Sequence, residues 1–172
     1  MARARIALLG GESTGKSTLA AALAAALNAS CVREFGREYW IAKHGVLSSA
    51  DMALIALRQS RLERVAAART AGYLICDTTP LTTLFYHRWT LPGAAPQRMA
   101  QLAAQRYDLT VLCGDEIAHV QDGTRDGAAF RSRQQADYAA HLQAQTAPWI
   151  AVRGSVAQRV AQVWAAVQQY SL

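Results

Sequence analysis

Residues 10–18 read Gly-Gly-Glu-Ser-Thr-Gly-Lys-Ser-Thr. Gly10, four residues, then Gly15-Lys16-Ser17 match the spacing G-x-x-x-x-G-K-[ST] of a phosphate-binding loop. Successive main-chain N–H groups of such a loop converge on phosphate oxygens, and its glycines permit the turn and the close approach. The candidate nucleotide-binding set is therefore Gly10, Gly11, Glu12, Ser13, Thr14, Gly15, Lys16, Ser17 and Thr18. Lys16 is expected to reach the β and γ phosphates of ATP, and the Ser17 hydroxyl to meet Mg²⁺. A glycine-rich turn without ligand is the alternative. The flanks argue against it: Arg5 to Leu9 is an apolar run that reads as a buried strand, and Lys16 to Leu27 is Ala- and Leu-rich and reads as a helix.

A phosphate-handling site also needs carboxylates. The run Tyr73-Leu74-Ile75-Cys76 leads unbroken into Asp77, which could hold Mg²⁺ or, as an alternative to Glu34 below, take the acceptor's proton, and which is not followed by a glutamate. That suits a phosphotransferase better than a hydrolase, where a second acid activates water. A rival pair, Asp115-Glu116, follows Leu112-Cys113, with Gly114 interrupting the apolar run. Asp77 is preferred on that ground. The stretch from Arg33 to Trp40 is dense in polar and aromatic residues at the exit of a short strand. There Glu34 could take an acceptor proton or grip ribose hydroxyls, Arg37 would face the acceptor, and Tyr39 or Trp40 could stack on a flat ring. The same residues also fit a solvated amphipathic helix start with i,i+4 charge pairs. Gln59 shares a stripe with Ile55, Leu62 and Ala66, so its amide must find a ligand or a neighbouring loop. Residues 120–127, with Arg131 and Arg133 just beyond, suit a lid in which Arg125 closes over the triphosphate. The four histidines share no ligand spacing and are assigned no role.

These residues need a scaffold, and the chain alternates apolar runs with helical patterns. Strands are expected at 5–9, 30–32, 73–77, 109–113 and 149–152. Helices are expected at 16–27, 51–71, 95–106, 127–145 and 155–170. In the closing helix Val156, Val160, Val163, Trp164 and Val167 share one face. This predicts an α/β fold, a P-loop NTPase three-layer sandwich with a mostly parallel five-stranded sheet and helices on both faces. Ligands of such sheets bind at the carboxyl ends of the strands.

At 172 residues, 52% hydrophobic and 17% charged, the chain predicts one globular domain with a lid segment around 115–133. No apolar run is long enough for a membrane span. Three cysteines without ligand spacing predict buried free thiols in a reducing cytoplasm. The net charge of +6 comes from scattered arginines, and no nucleic-acid-binding motif accompanies it, so no nucleic-acid partner is expected. An N-K-x-D motif and an L-S-G-G-Q motif are both absent, which argues against a GTPase and a transporter-type ATPase.

The P-loop, the Arg33–Tyr39 run, Cys76-Asp77-Thr78 with Leu81-Thr82-Thr83, Tyr107-Asp108-Leu109 and Gln121-Asp122-Gly123-Thr124-Arg125 occur in that order. In this the chain resembles the ribosylnicotinamide kinase domain of NadR-type proteins, an AAA-like P-loop kinase family. The resemblance implies transfer of the ATP γ-phosphate to the 5′-hydroxyl of nicotinamide riboside. It implies that Lys16, Ser17 and Thr18 serve ATP and Mg²⁺, that Asp77 sits at the reacting centre, that the Arg33–Tyr39 run faces the riboside and that Arg125 belongs to the lid. NadR proteins join this domain to an adenylyltransferase. This chain starts at the first strand and carries no H-x-G-H motif, which predicts a stand-alone cytoplasmic kinase. Two alternatives stay open: a kinase for another nucleoside or small alcohol, and a regulatory or nucleic-acid-linked ATPase that uses Asp115-Glu116.

Overall fold

The computed structural model describes residues 1–117 and 128–172. Their order is β1 (Ala4–Leu9), α1 (Lys16–Ala26), β2 (Ser30–Val32), α2 (Phe35–Ala42), α3 (Ser49–Arg69), β3 (Tyr73–Asp77), α4 (Pro80–Thr90), α5 (Gln97–Ala103), β4 (Leu109–Cys113), α6 (Ala128–Gln143), β5 (Trp149–Val152) and α7 (Val156–Gln169). The five strands form one sheet in the order β2-β3-β1-β4-β5, and every pairing is parallel. The three-layer α/β architecture expected from the sequence is the one observed.

The pleat sorts the core into two faces. Ile6 and Leu8 of β1 and Ile75 of β3 pack with Leu19 and Leu23 of α1 and Val163 and Val167 of α7. Leu9 and Leu112 face the other way, onto Met52 of α3, Leu81 and Phe85 of α4, Met99 of α5 and Tyr138 and Leu142 of α6. Both faces of the sheet are thus covered, which explains why the strands read as continuous apolar runs. Register sets the site: Leu8 pairs with Asp77 and Leu9 with Leu112, so the loop after β1 emerges between the ends of β3 and β4.

Two helices were not among those expected. One is α2, for which the i,i+4 charge pairs of the Arg33–Trp40 stretch indicate no more than a helix start. The other is α4, whose residues from Pro80 to Phe85 are all buried, so no polar face betrays its period. Its start was nevertheless legible: Thr79 caps by accepting from Leu81 N, and Pro80 takes the first turn. The buried face of α7 is also rotated from the expectation. Arg159, Val163, Ala166 and Val167 are buried, while Val156 and Trp164 remain 38% and 40% exposed. Cys76 and Cys113 are buried as expected, but Cys31 is exposed because β2 is a short edge strand. No helix among the described residues is long and apolar enough to cross a membrane.

Candidate functional site

The loop between β1 and α1 adopts conformations that its sequence permits. Gly10 sits at φ 146°, where an added Cβ would lie 3.0 Å from the Cys113 carbonyl oxygen, and Gly15 sits at φ 79° as the N-cap of α1. Buried Thr14 braces the turn by donating its hydroxyl to Gly11 O at 2.8 Å. Helices α3, α4 and α7 each begin on a Ser or Thr side-chain cap, whereas α1 has none and no acidic residue in its first turn. A helix start of that kind offers N–H donors and a positive dipole end to an anion. Lys16 lies across the loop, donating to Gly10 O at 2.9 Å and Gly11 O at 2.7 Å.

Helix α6 holds the front of the loop. Gln135 accepts from Gly11 N at 3.1 Å and donates to Cys113 O at 2.9 Å, while Gln134 accepts from Glu12 N at 2.8 Å. Arg131 is buried and donates to the carbonyls of Asp115 and Ile117. The buried stripe of α6 is therefore polar beneath the loop (Arg131, Gln134) and aromatic or aliphatic beyond it (Tyr138, Leu142).

The loop forms one end of a cleft of about 720 Å³. Glu34, Arg37 and Trp40 from the β2 exit and α2 also line the cleft, with Met52 and Ile55 of α3 and Tyr86 of α4. Trp40 rests on Gly45, where a Cβ would come within 3.0 Å of the ring. The Tyr86 hydroxyl donates to Glu12 Oε1 at 2.7 Å, which ties α4 to the loop. Burial pushes the Glu34 carboxyl above its ordinary value; Lys16 opposes this, Asp77 adds to it, and Arg37 and Glu12 act with smaller weight. Glu34, Lys16 and Asp77 thus form one electrostatic unit.

Asp77 is 5% exposed, and its Oδ1 has no hydrogen-bond partner among the described residues. Thr78, which lines the cleft, follows it at φ 70°, a strained conformation for a β-branched residue. The rival acid is engaged elsewhere: Glu116 accepts from Gly154 N and from Arg159, both at 2.7 Å. Burial would raise its pKa, but the hydrogen bonds from its own main chain, Arg159 and Gly154 outweigh this and hold the carboxyl low.

The structure sorts the expected acceptor residues. Glu34 and Arg37 line the cleft. Tyr39 does not; its hydroxyl donates to Asp51 at 2.9 Å, and its neighbour Trp40 takes the wall position. Gln59 is also outside the lining. It accepts from Phe35 N at 3.1 Å and donates to buried Glu63 at 3.2 Å, so it caps α2 from the side and fixes the residue next to Glu34. Arg125 and the expected lid loop at 120–127 lie outside the described residues.

The raised Glu34 carboxyl has a consequence for stability. The folded state holds this proton to higher pH than the unfolded state does, so Glu34 costs stability as pH rises through and above the ordinary carboxylate range. Glu34→Gln removes that cost. Without nucleotide, the thermal midpoints of wild type and Glu34→Gln are expected to converge near pH 4, with the variant pulling ahead towards pH 7. Parallel curves would show that Glu34 is not desolvated.

A model described as an AAA domain matches residues 5–159. The trifunctional NAD biosynthesis/regulator protein NadR of Salmonella typhimurium is 32% identical over 124 residues, covering 70% of this chain and 30% of the relative. A crystal structure of NadR protein in complex with NR superposes with a TM-score of 0.74 at 22% identity, covering 97% of this chain and 51% of that one. A crystal structure of NadR protein in complex with NAD and AMP-PNP gives a TM-score of 0.67 at 22% identity, covering 97% and 49%. The chain thus spans about a third of the length of the curated relative and about half that of the crystallised chains.

Proposed function

The chain belongs to the AAA domain family, and from that premise we propose that it is a kinase that transfers the γ-phosphate of ATP to the 5′-hydroxyl of nicotinamide riboside. One observation carries the reading. The cleft does not end at the phosphate loop but continues past Lys16 into a pocket walled by Glu34, Arg37, Trp40 and Tyr86. A hydrolase needs room there only for water. A pocket with an aromatic wall, a carboxylate and an arginine suits a flat ring on a polyhydroxylated sugar.

In this reading the acceptor oxygen bonds to the γ phosphorus as the bond from that phosphorus to the bridging oxygen breaks, and ADP leaves. Glu34 takes the hydroxyl proton. Its raised pKa brings it nearer the operating range of a general base. Lys16 and the N–H groups at the start of α1 stabilise charge on the phosphates. Ser17 and Asp77 would hold Mg²⁺, and the unpartnered Oδ1 of Asp77 fits that role. When bound, the ion neutralises phosphate charge. Arg125 is proposed as a lid residue on sequence grounds.

Trp40→Ala is expected to raise the KM for the riboside about tenfold, from lost stacking and burial, while the KM for ATP changes less than twofold. Equal effects on both would remove Trp40 from the acceptor wall. An acceptor panel tests the function itself. ADP formation from Mg-ATP is followed with nicotinamide riboside, other nucleosides, small alcohols or nucleic acid, and with no addition. The riboside is expected to give the highest kcat/KM. Another nucleoside in that place would keep the kinase and change its acceptor. Acceptor-independent ADP stimulated by nucleic acid would replace the reading with the ATPase.

A further inference from the structure

Arg159 is the bulkiest fully buried side chain among the described residues, yet it sits on the face of α7 that otherwise packs Val163, Ala166 and Val167 against the sheet. All three of its guanidinium nitrogens donate, in four hydrogen bonds. Nη1 donates to Thr14 O at 2.6 Å, Nη2 to Gly114 O at 3.2 Å and Glu116 Oε1 at 2.7 Å, and Nε to Gly154 O at 3.1 Å. One side chain therefore joins the phosphate loop to the exits of β4 and β5.

The surroundings are built around this arrangement. Gly114, which follows β4, leaves the space that Glu116 folds into; a Cβ there would clash with Glu116 Oε2. Glu116 also accepts from Gly154 N and so fixes the loop that supplies the Gly154 carbonyl. Stability alone is a poor explanation for such a network. Arg159 carries the cost of desolvation while its partner Glu116 stays about a third exposed, so solvent screens the attraction between them.

The geometry at Thr14 suggests what the network does. The peptide between Thr14 and Gly15 is trans and planar, so its C=O and N–H point in opposite directions. Drawing the Thr14 oxygen down onto Arg159 turns the Gly15 N–H away from Arg159, towards the cleft that Gly15 lines. We propose that Arg159 is a positioning residue for nucleotide, holding the Thr14–Gly15 peptide from behind so that the Gly15 N–H is aimed at a phosphate oxygen. A fork of several donors is required, so lysine, with its single ammonium, replaces it only in part. This role rests on reading the loop as a nucleotide phosphate site and not on which acceptor is used.

The test is calorimetric titration of ADP into wild type, Arg159→Met, Arg159→Lys and Glu116→Gln, each checked for folding by circular dichroism. KM values for ATP and for the riboside are measured alongside. Arg159→Met is expected to weaken ADP binding at least tenfold and to raise the KM for ATP in parallel, with the KM for the riboside within twofold of wild type. Arg159→Lys should fall between wild type and Arg159→Met. Glu116→Gln, which leaves Arg159 in place but loosens its aim, should weaken ADP binding about threefold. Unchanged ADP affinity in folded Arg159→Met overturns the proposal, as do equal losses for ATP and riboside. If Arg159→Met does not fold, unchanged affinity in both Arg159→Lys and Glu116→Gln overturns it. A wild-type protein that binds no ADP would remove the phosphate-site reading itself, and this role with it.

Discussion

Lys16→Ala is expected to lower kcat about 10³-fold while leaving the protein folded. The size follows from the chemistry. Phosphoryl transfer asks little of the protein beyond positioning and charge, and removing one preorganised donor from developing charge costs about 10²–10³ in rate. Lys16 is one of only two lysines in the chain, and the other, Lys43, pairs with Asp51 outside the cleft. No other lysine lines the cleft, and arginine has a different shape and reach. The structural cost is small. The bonds to Gly10 O and Gly11 O are each worth about 1 kcal/mol net, so the thermal midpoint should fall by only a few degrees. A second signature accompanies the first. Lys16 is the largest influence holding the Glu34 pKa down against burial. The acid limb of the residual activity should therefore move to higher pH. Near-normal turnover in folded Lys16→Ala would refute the assignment of this loop.

Asp77→Asn is expected to cost about 10²-fold in kcat, to raise the Mg²⁺ concentration needed for half-maximal rate, and to leave the nucleotide-free protein at least as stable as wild type. The last part follows from burial. Asp77 is 5% exposed with one carboxylate oxygen unpartnered among the described residues, and burying an unsatisfied charged group is costly. Asparagine keeps the shape and removes the charge. Gained stability together with lost activity is the mark of a residue kept for chemistry. Because Asp77 raises the Glu34 pKa, Asp77→Asn should shift the acid limb to lower pH, opposite to Lys16→Ala. Steady-state rates over pH and Mg²⁺, with thermal unfolding, measure all three effects. A destabilised but fully active Asp77→Asn would contradict this role.

The scaffold was legible because it is written locally. Ile6 to Leu9, Leu74 to Cys76 and Leu109 to Cys113 are buried on both faces, and each ends at a residue that breaks the apolar run. The phosphate loop was legible because its glycines and Lys16 sit at fixed spacing. What stayed hidden depends on partners distant in sequence. Gln134 and Gln135 meet the loop more than 120 residues away, and Arg159 meets Thr14 across 145. A warning did exist for Arg159: a charge among Val156, Val160 and Val163 on one helical face must find partners if buried. Tyr39 and Trp40 are adjacent, so they project in different directions from α2, and only the docking of that helix onto α3 decides which one enters the cleft. Gln59 could not be resolved because its partner is the main-chain N–H of Phe35, which becomes available only once α2 forms.

Kinase activity toward the riboside is read most directly from transfer of label from γ-³²P-ATP in the presence of Mg²⁺ and nicotinamide riboside, with the products separated and weighed by mass spectrometry. Label is expected in a product with the mass of nicotinamide mononucleotide, formed one for one with ADP and absent without the riboside. Label appearing only as inorganic phosphate, at a rate indifferent to the riboside or to any other hydroxyl acceptor, would contradict it.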